Sequence, residues 1–346
     1  MAIQINKETQ MSVFIVAELS ANHGGDLNIA KESLCAIKEC GADAVKLQTY
    51  TPEDLTLDCK SDIFKVKGAS LWEGKYLYEL YKEACMPLEW NAELFSYAKK
   101  ISLTCFSAPF SLKSVELLQS LNNPIYKIAS FEVVDLELVE AVAQCGKPVI
   151  LSSGIATNSE LNRAINLIKA CGVNDITLLK CVSAYPAEMR DMNLREMTAL
   201  GAKFGVKFGL SDHSKGDLAA IIATSLGASV IEKHFILDRA IKSADSGFSL
   251  DRAEFERLVR AIRDSELALG AENAEILGDS SHKKGREFAR SLFVVKDIKK
   301  GEMLSEKNIR AIRPNGGIEP KFLKEILGRK AKRDLAFGKP LEWEDF

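Results

Sequence analysis

Short apolar runs alternate along the chain with longer stretches in which apolar residues recur at helical spacing. Runs rich in Val, Ile and Leu at 13–17, 44–48, 102–106, 125–129, 149–152, 176–181, 206–210 and 229–234 predict eight β-strands. Amphipathic stretches at 29–40, 91–100, 113–121, 136–145, 159–171, 193–203, 218–227 and 252–270 predict helices, the last one after the eighth strand. Four of these close on a glycine, at Cys40-Gly41, Cys145-Gly146, Cys171-Gly172 and Leu226-Gly227, the usual helix stop. Eight strand–helix units in about 270 residues have the size of a (β/α)8 TIM barrel. An open doubly wound sheet is the alternative, but no G-x-G-x-x-G follows the first strand.

Each predicted strand is apolar in its body and polar at its C-terminal end. The ends carry Glu18, Lys46 with Gln48, Ser107, Lys127 with Ser130, Ser152, Ser183, Ser211-Asp212-His213 and Glu232-Lys233-His234. Any strand leaving a core turns polar, which explains a serine or two but poorly explains two lysines, two histidines and two glutamates. In a barrel all eight ends meet around one mouth, where active sites sit. The pattern predicts a single site.

Past residue 270 the chemistry changes. Residues 271–286, with Gly278, Asp279, Ser280, Ser281 and Lys283-Lys284-Gly285, read as a linker between a barrel at 1–270 and a small module at 287–346. That module contains a diverged echo: Asp297-Ile-Lys-Lys-Gly301-Glu-Met-Leu304 is answered by Asp334-Leu-Ala-Phe-Gly338-Lys-Pro-Leu341. Two copies of D-[IL]-x-x-G-x-x-L suggest pseudo-twofold symmetry. Residues 286–346 hold 15 Lys+Arg against 10 Asp+Glu, hence +5, and the rest holds 31 against 38, hence −7.

The whole 346-residue chain carries 46 Lys+Arg and 48 Asp+Glu, net −2, which argues against a nucleic-acid clamp working by bulk positive charge. No apolar run approaches the ~20 residues that span a bilayer, and residues 1–12 lack the apolar core of a secretory signal. Eight cysteines without a C-x-x-C read as free thiols of a reducing cytoplasm, which is the expected location.

Three of the four histidines follow predicted strands: His23, His213 and His234. His213 and His234 end neighbouring strands and could share one divalent ion; two imidazoles with carboxylate or water suit Mn²⁺, Co²⁺ or Zn²⁺. Their bland alternative is hydrogen bonding to backbone or phosphate. His282, in the linker, reads as an exposed bystander. Lys46 and Lys127, set among Ser107, Ser130, Ser152 and Ser211, offer the point charges and small donors that a phosphate monoester needs. Glu18 and Glu132 could hold a sugar hydroxyl or move a proton, or simply pair with the lysines.

Taken in order, several motifs resemble the sialic acid synthase family. They are Ala17-Glu18-Leu-Ser-Ala-Asn22-His23-Gly-Gly, Val45-Lys46-Leu-Gln48-Thr49, Lys127-Ile-Ala-Ser130-Phe-Glu132, Leu151-Ser152-Ser-Gly154, Gly209-Leu-Ser211-Asp212-His213-Ser and Ile231-Glu-Lys-His234-Phe. Phe288-Ala-Arg-Ser291-Leu and Ile309-Arg-Ala-Ile-Arg313-Pro resemble the antifreeze-like (SAF) domain these enzymes carry. The resemblance implies a TIM barrel followed by that domain, and condensation of phosphoenolpyruvate with an acylated aminosugar. It implies a divalent metal on His213 and His234, Mn²⁺ ahead of Mg²⁺ or Co²⁺. Phosphoenolpyruvate would fall to Lys46, Lys127, Ser130, Ser152 and Ser211, and the sugar to Glu18, Gln48, Tyr185 and Asp245, with Asn22, Ser107, Ser183 and Phe288 as further contacts. Glu132 would stand near the attacking water or the reacting carbons. Arg313 would come from the second subunit of a domain-swapped homodimer.

Two departures sharpen the expectation. Where neuraminate synthases tend to read C-T-N-x-Y-P, this chain reads Cys181-Val-Ser183-Ala-Tyr185-Pro, losing an amide and arguing for a different sugar. The stretches around Thr49–Thr56, Leu71–Tyr81 and Asp245–Leu250 resemble the pseudaminic acid synthase branch, so the expected acceptor is 2,4-diacetamido-2,4,6-trideoxy-L-altrose. A neuraminic or legionaminic acid precursor is the nearest alternative, and a non-catalytic sugar- or ice-binding protein a more distant one. Ala108 stands where many relatives have a hydroxyl, leaving Ser107 or a water to replace it.

Overall fold

The computed structural model describes residues 12–67, 71–270 and 284–346, so His282 and most of the expected linker lie outside the described residues. The chain divides into two compact units, Met1–Glu272 and Asn273–Phe346.

In the first unit, eight parallel strands close into a barrel in sequence order. They are β1 (Phe14–Glu18), β2 (Ala44–Thr49), β3 (Thr104–Pro109), β4 (Tyr126–Ile128), β5 (Val149–Ser152), β6 (Ile176–Cys181), β7 (Lys207–Asp212) and β8 (Val230–His234). The closing pair, β1 with β8, runs in register from Phe14↔Val230 to Glu18↔His234. Helices return the chain between strands, and their starts follow local chemistry. Asp26, Asp135, Thr157 and Asp251 each cap a helix by accepting from a backbone N–H of its first turn. The glycines expected to stop helices, Gly41, Gly146, Gly172 and Gly227, all have φ between +65° and +89°.

One apolar layer packs strands against helices on the β1, β2, β7 and β8 side, through residues such as Ile15, Leu47, Leu210, Ile231 and Phe255. A second covers the β4–β6 side through Tyr126, Ile128, Leu151, Ile165 and Leu178. One stretch has no counterpart among the expected elements. After β2 the chain makes a short helix (Pro52–Leu55), an antiparallel bridge Lys65↔Tyr76 and a second helix (Leu77–Ala84) before the barrel helix Trp90–Lys100.

The second unit contains a two-stranded antiparallel sheet, β9 (Ser291–Val294) with β10 (Ile309–Ile312), over a core that includes Leu292, Leu304, Ile326 and Leu341. The sequence echo is a structural one. Ile298 and Leu335 exchange both backbone hydrogen bonds, at 2.9 and 2.8 Å. Asp297 Oδ1 accepts from the Phe337 N–H at 2.6 Å and Asp334 Oδ1 from the Lys300 N–H at 2.8 Å, so each aspartate caps the third residue after its counterpart.

Candidate active site

Side-chain alternation along the strands builds the mouth on an apolar floor. Val16, Ala44, Phe106, Ile125, Ile150, Leu179 and Val230 pack together inside the barrel. Two residues further along, on the same face, come Glu18, Lys46, Ala108, Lys127, Ser152, Cys181 and Glu232. All but Ala108 line a cavity of about 1250 Å³.

Glu232 is the hub of this layer. Its Oε1 lies 2.9 Å from Lys46 Nζ and 3.3 Å from Lys127 Nζ, and accepts from Ser211 Oγ at 3.0 Å. Lys46 Nζ also reaches Glu18 Oε2 at 2.5 Å, and Glu18 Oε1 accepts from Gln48 Nε2 at 3.0 Å. All four charged groups are buried. Burial works against ionising Glu232, but Lys127 and Lys46 outweigh it and hold the carboxyl well below its usual range. Lys46 is driven down to about 7, by burial first and then by its Lys127 neighbour, against the pull of Glu232. Glu132, in the loop after β4, is pushed up to about 7, chiefly by burial.

Several buried oxygens here have no hydrogen-bond partner: Glu132 Oε2, Glu232 Oε2 and Ser152 Oγ. Such groups cost free energy unless a ligand or water completes them. Ser130 and Ser183 share a hydrogen bond of 2.8 Å. Gly154 lets them sit there: a Cβ at that position would fall 2.1 Å from Ser130 Cβ and 2.7 Å from Ser183 Oγ.

His213 and His234 converge with ring centroids 5.4 Å apart. His213 Nδ1 lies 2.9 Å from the Val182 carbonyl, which can only accept, so Nδ1 carries a proton and Nε2 is the nitrogen left for a ligand. His234 Nδ1 is buried without a hydrogen-bond partner and stands 3.7 Å from Asp245 Oδ2. Burial first, and then the nearby His213 and Lys46, hold the His234 imidazole well below its ordinary pKa, in the neutral form a metal needs. Among the described residues no three His, Cys, Asp or Glu side chains are arranged to hold a metal. The two imidazoles facing one cavity are a donor set that would leave the remaining positions of an ion to water or substrate oxygens.

An aromatic group walls this side. Ring centroids of Tyr185 and His213 lie 4.4 Å apart and those of Phe248 and His234 4.8 Å; Trp72 lies 5.3 Å from Tyr185, tilted by 41°, and donates its Nε1–H to the Ala244 carbonyl at 2.8 Å. The post-β2 segment supplies an apolar wall, with Leu55, Val66, Leu71, Leu77 and Tyr81 facing the cavity.

Of the barrel residues expected to bind substrate or metal, two do not line the cavity. Ser107 has the opposite parity to Phe106 and Ala108, so it points out of the barrel, hydrogen-bonded to Thr49 Oγ1 at 2.7 Å. It does not replace the hydroxyl missing at Ala108. The Asn22 amide is fully used by protein: Nδ2 donates to the Phe235 carbonyl and Ser249 Oγ, both at 2.8 Å, and Oδ1 accepts from Ser243 Oγ at 2.5 Å. It ties the β1 loop to the β8 loop. In the second unit, Phe288 and Arg313 are exposed, flanking β9 and β10. Sequence reasoning gave no role to Glu232, although its place two residues before His234 put it on the same strand face. Trp72 and Phe248 also escaped it, since an aromatic in a loop carries no periodic signal.

Residues 34–274 match the NeuB family and residues 289–346 the SAF domain. The chain belongs to the NeuB family. A pseudaminic acid synthase of Helicobacter pylori is 59% identical over 331 residues, covering 96% of this chain and 97% of the relative. Another, from Campylobacter jejuni, is 48% identical over 341 residues, 99% and 98% of the two chains. Among solved structures, the N-acetylneuraminic acid synthetase of Leptospira borgpetersenii superposes with a TM-score of 0.69 at 31% identity, over 78% of this chain and 88% of its own. No described helix of this NeuB-family chain is long and apolar enough to cross a membrane.

Proposed function

We propose that the barrel mouth condenses phosphoenolpyruvate with 2,4-diacetamido-2,4,6-trideoxy-L-altrose and water to give pseudaminic acid and phosphate. The observation that carries this reading is two buried lysines and two imidazoles facing one cavity, in a chain so close to pseudaminic acid synthases.

Lys46 and Lys127 hold the anionic end of phosphoenolpyruvate, with Ser130, Ser152 and Ser211 as hydroxyl donors. Glu18, Gln48, Tyr185 and Asp245 orient the open-chain sugar, and Ser183 adjoins it. His213 and His234 would hold a divalent cation, Mn²⁺ first among candidates. When bound, that cation supplies Lewis acidity at the aldehyde oxygen of the sugar. Carbon 3 of phosphoenolpyruvate forms the new bond to the aldehyde carbon, and positive charge develops at carbon 2. Water adds there while Glu132 accepts its proton. The resulting hemiketal phosphate expels phosphate by C–O cleavage. Arg313 completes the pocket from the second subunit of a domain-swapped homodimer, and the reaction runs in the cytoplasm.

The half-buried Leu55, Val66 and Leu77 favour this acceptor over N-acetylmannosamine. Two acetamido methyls and a 6-methyl group find apolar partners on that wall, whereas a primary hydroxyl would lose hydrogen bonds to water there. The test is phosphate release from phosphoenolpyruvate with the purified chain. Release that needs both the sugar and Mn²⁺ is expected; release without the sugar, or none with both, would contradict the reading.

A further inference from the structure

Behind the metal-facing wall, and apart from the cavity, lies an ion pair that the chemistry above does not use. Asp212 and Lys233 are register partners on β7 and β8. Their neighbours Ser211, His213, Glu232 and His234 face the cavity, and by alternation these two face away from it. Both are buried, with side chains 0% and 1% exposed, and Lys233 Nζ lies 2.7 Å from Asp212 Oδ2.

The pair is not an isolated bridge. Asp212 Oδ1 accepts from the Ser214 N–H at 2.8 Å and from Ser214 Oγ at 2.6 Å. Lys233 Nζ donates to the Ser214 carbonyl. Residues 212 and 214 are thus clamped on both sides of His213, and the clamp is anchored on the residue immediately before His234. Two further bonds fix the His213 loop from the β6 side: the Ala187 N–H donates to the His213 carbonyl at 3.0 Å, and Nδ1 meets Val182 as described.

We infer that Lys233 and Asp212 are positioning residues that set the separation and orientation of the two imidazoles for a divalent cation. The inference rests on the reading of His213 and His234 as metal ligands. A buried pair contributes little net stability compared with apolar residues of its size, so stability alone is a poor reason for it. Fixing two ligands on adjacent strands needs a rigid link between those strands. One atom network spanning β7, the residue after His213 and β8 provides it.

The test is Mn²⁺ binding to the full-length protein without substrates, followed by electron paramagnetic resonance. Four proteins are compared with wild type: Lys233→Met, Lys233→Arg, the double variant Asp212→Leu with Lys233→Met, and His213→Ala. Outer groups that orient metal ligands typically control affinity by about 10–100-fold, and that loss is expected in Lys233→Met, with a changed spectrum of the residual bound ion. The double variant restores the unfolding midpoint lost by an unpaired Asp212, but not the Mn²⁺ affinity, because Ser214 stays unclamped. Lys233→Arg, which keeps the charge and donors, recovers part of the affinity. A folded double variant that binds Mn²⁺ like wild type, while His213→Ala does not, overturns this inference alone. Wild-type protein that binds no more Mn²⁺ than His213→Ala overturns the metal reading and the inference with it.

Discussion

Lys127 Nζ stands 3.3 Å from Glu232 Oε1, the same carboxylate oxygen that Lys46 holds at 2.9 Å. One carboxylate oxygen is therefore shared by two amines before any substrate arrives, and Lys46 has a second partner in Glu18. The lysines are not equivalent. Removing one partner of a buried pair leaves a stranded charge and costs roughly 3–5 kcal/mol. Lys46→Met leaves Glu18 without its cation, while Glu232 keeps Lys127 and Ser211; Lys127→Met leaves both carboxylates with Lys46. Urea unfolding at pH 6 should find the Lys46 variant the less stable of the two, although both lose affinity for phosphoenolpyruvate.

Lys46 also makes substrate binding pH-dependent. Glu18 and Glu232 face its amine with negative charge and Lys127 with positive, and burial brings its pKa to about 7. An arriving phosphate favours the ammonium and raises that pKa, so binding takes up a proton where the free lysine is neutral. Affinity for phosphoenolpyruvate should be flat below pH 7 and fall as pH rises above it. Calorimetry in buffers of different ionisation enthalpy reads the proton uptake directly. Ionisation of Glu132 over the same range adds negative charge and acts in the same direction.

Glu132 must be a carboxylate to take the proton from water. With a pKa near 7 in the free enzyme it gives kcat/KM an acid limb that rises through neutrality. Glu132→Gln should remove the limb and lower kcat by about 10²–10⁴. Its effect on stability has the opposite sign. A raised carboxyl pKa means stability present below about 4.5 and lost as pH climbs through 7. The glutamine variant should therefore melt above wild type at pH 8.5, with the gap closing towards pH 5.

Much of this site could be read from the chain because strand parity is simple. β5 and β6 fall at 149–152 and 176–181 as expected, and polar residues at the end of every strand except β3 line one cavity. β3 was harder: it starts at Thr104 and runs to Pro109, because pairing with β2 reaches Thr49↔Pro109 and overrides the turn-like Ser-Ala-Pro. Ser102, which the apolar pattern places in the strand, has φ of +56° and belongs to the turn closing Trp90–Lys100. The Ser107 assignment failed for the same reason, since a strand's register decides which face a hydroxyl joins. The segment after β2 was missed because its helices are short and their apolar faces pack on cavity and neighbouring loops, without a long periodic stripe.

That missed segment makes its own prediction. Leu77 is half-buried at the cavity wall, on the segment after β2 and not on a barrel strand. Leu77→Asn removes apolar surface from the acceptor side alone. The KM for the diacetamido sugar should rise roughly tenfold, as losing one apolar contact in such a pocket commonly does, while the KM for phosphoenolpyruvate stays within about twofold.

The choice of acceptor tests the account most directly. Steady-state phosphate release measured side by side should give 2,4-diacetamido-2,4,6-trideoxy-L-altrose a kcat/KM at least about 10² above N-acetylmannosamine. Equal values, or a preference for N-acetylmannosamine or for the legionaminic acid precursor, would contradict it.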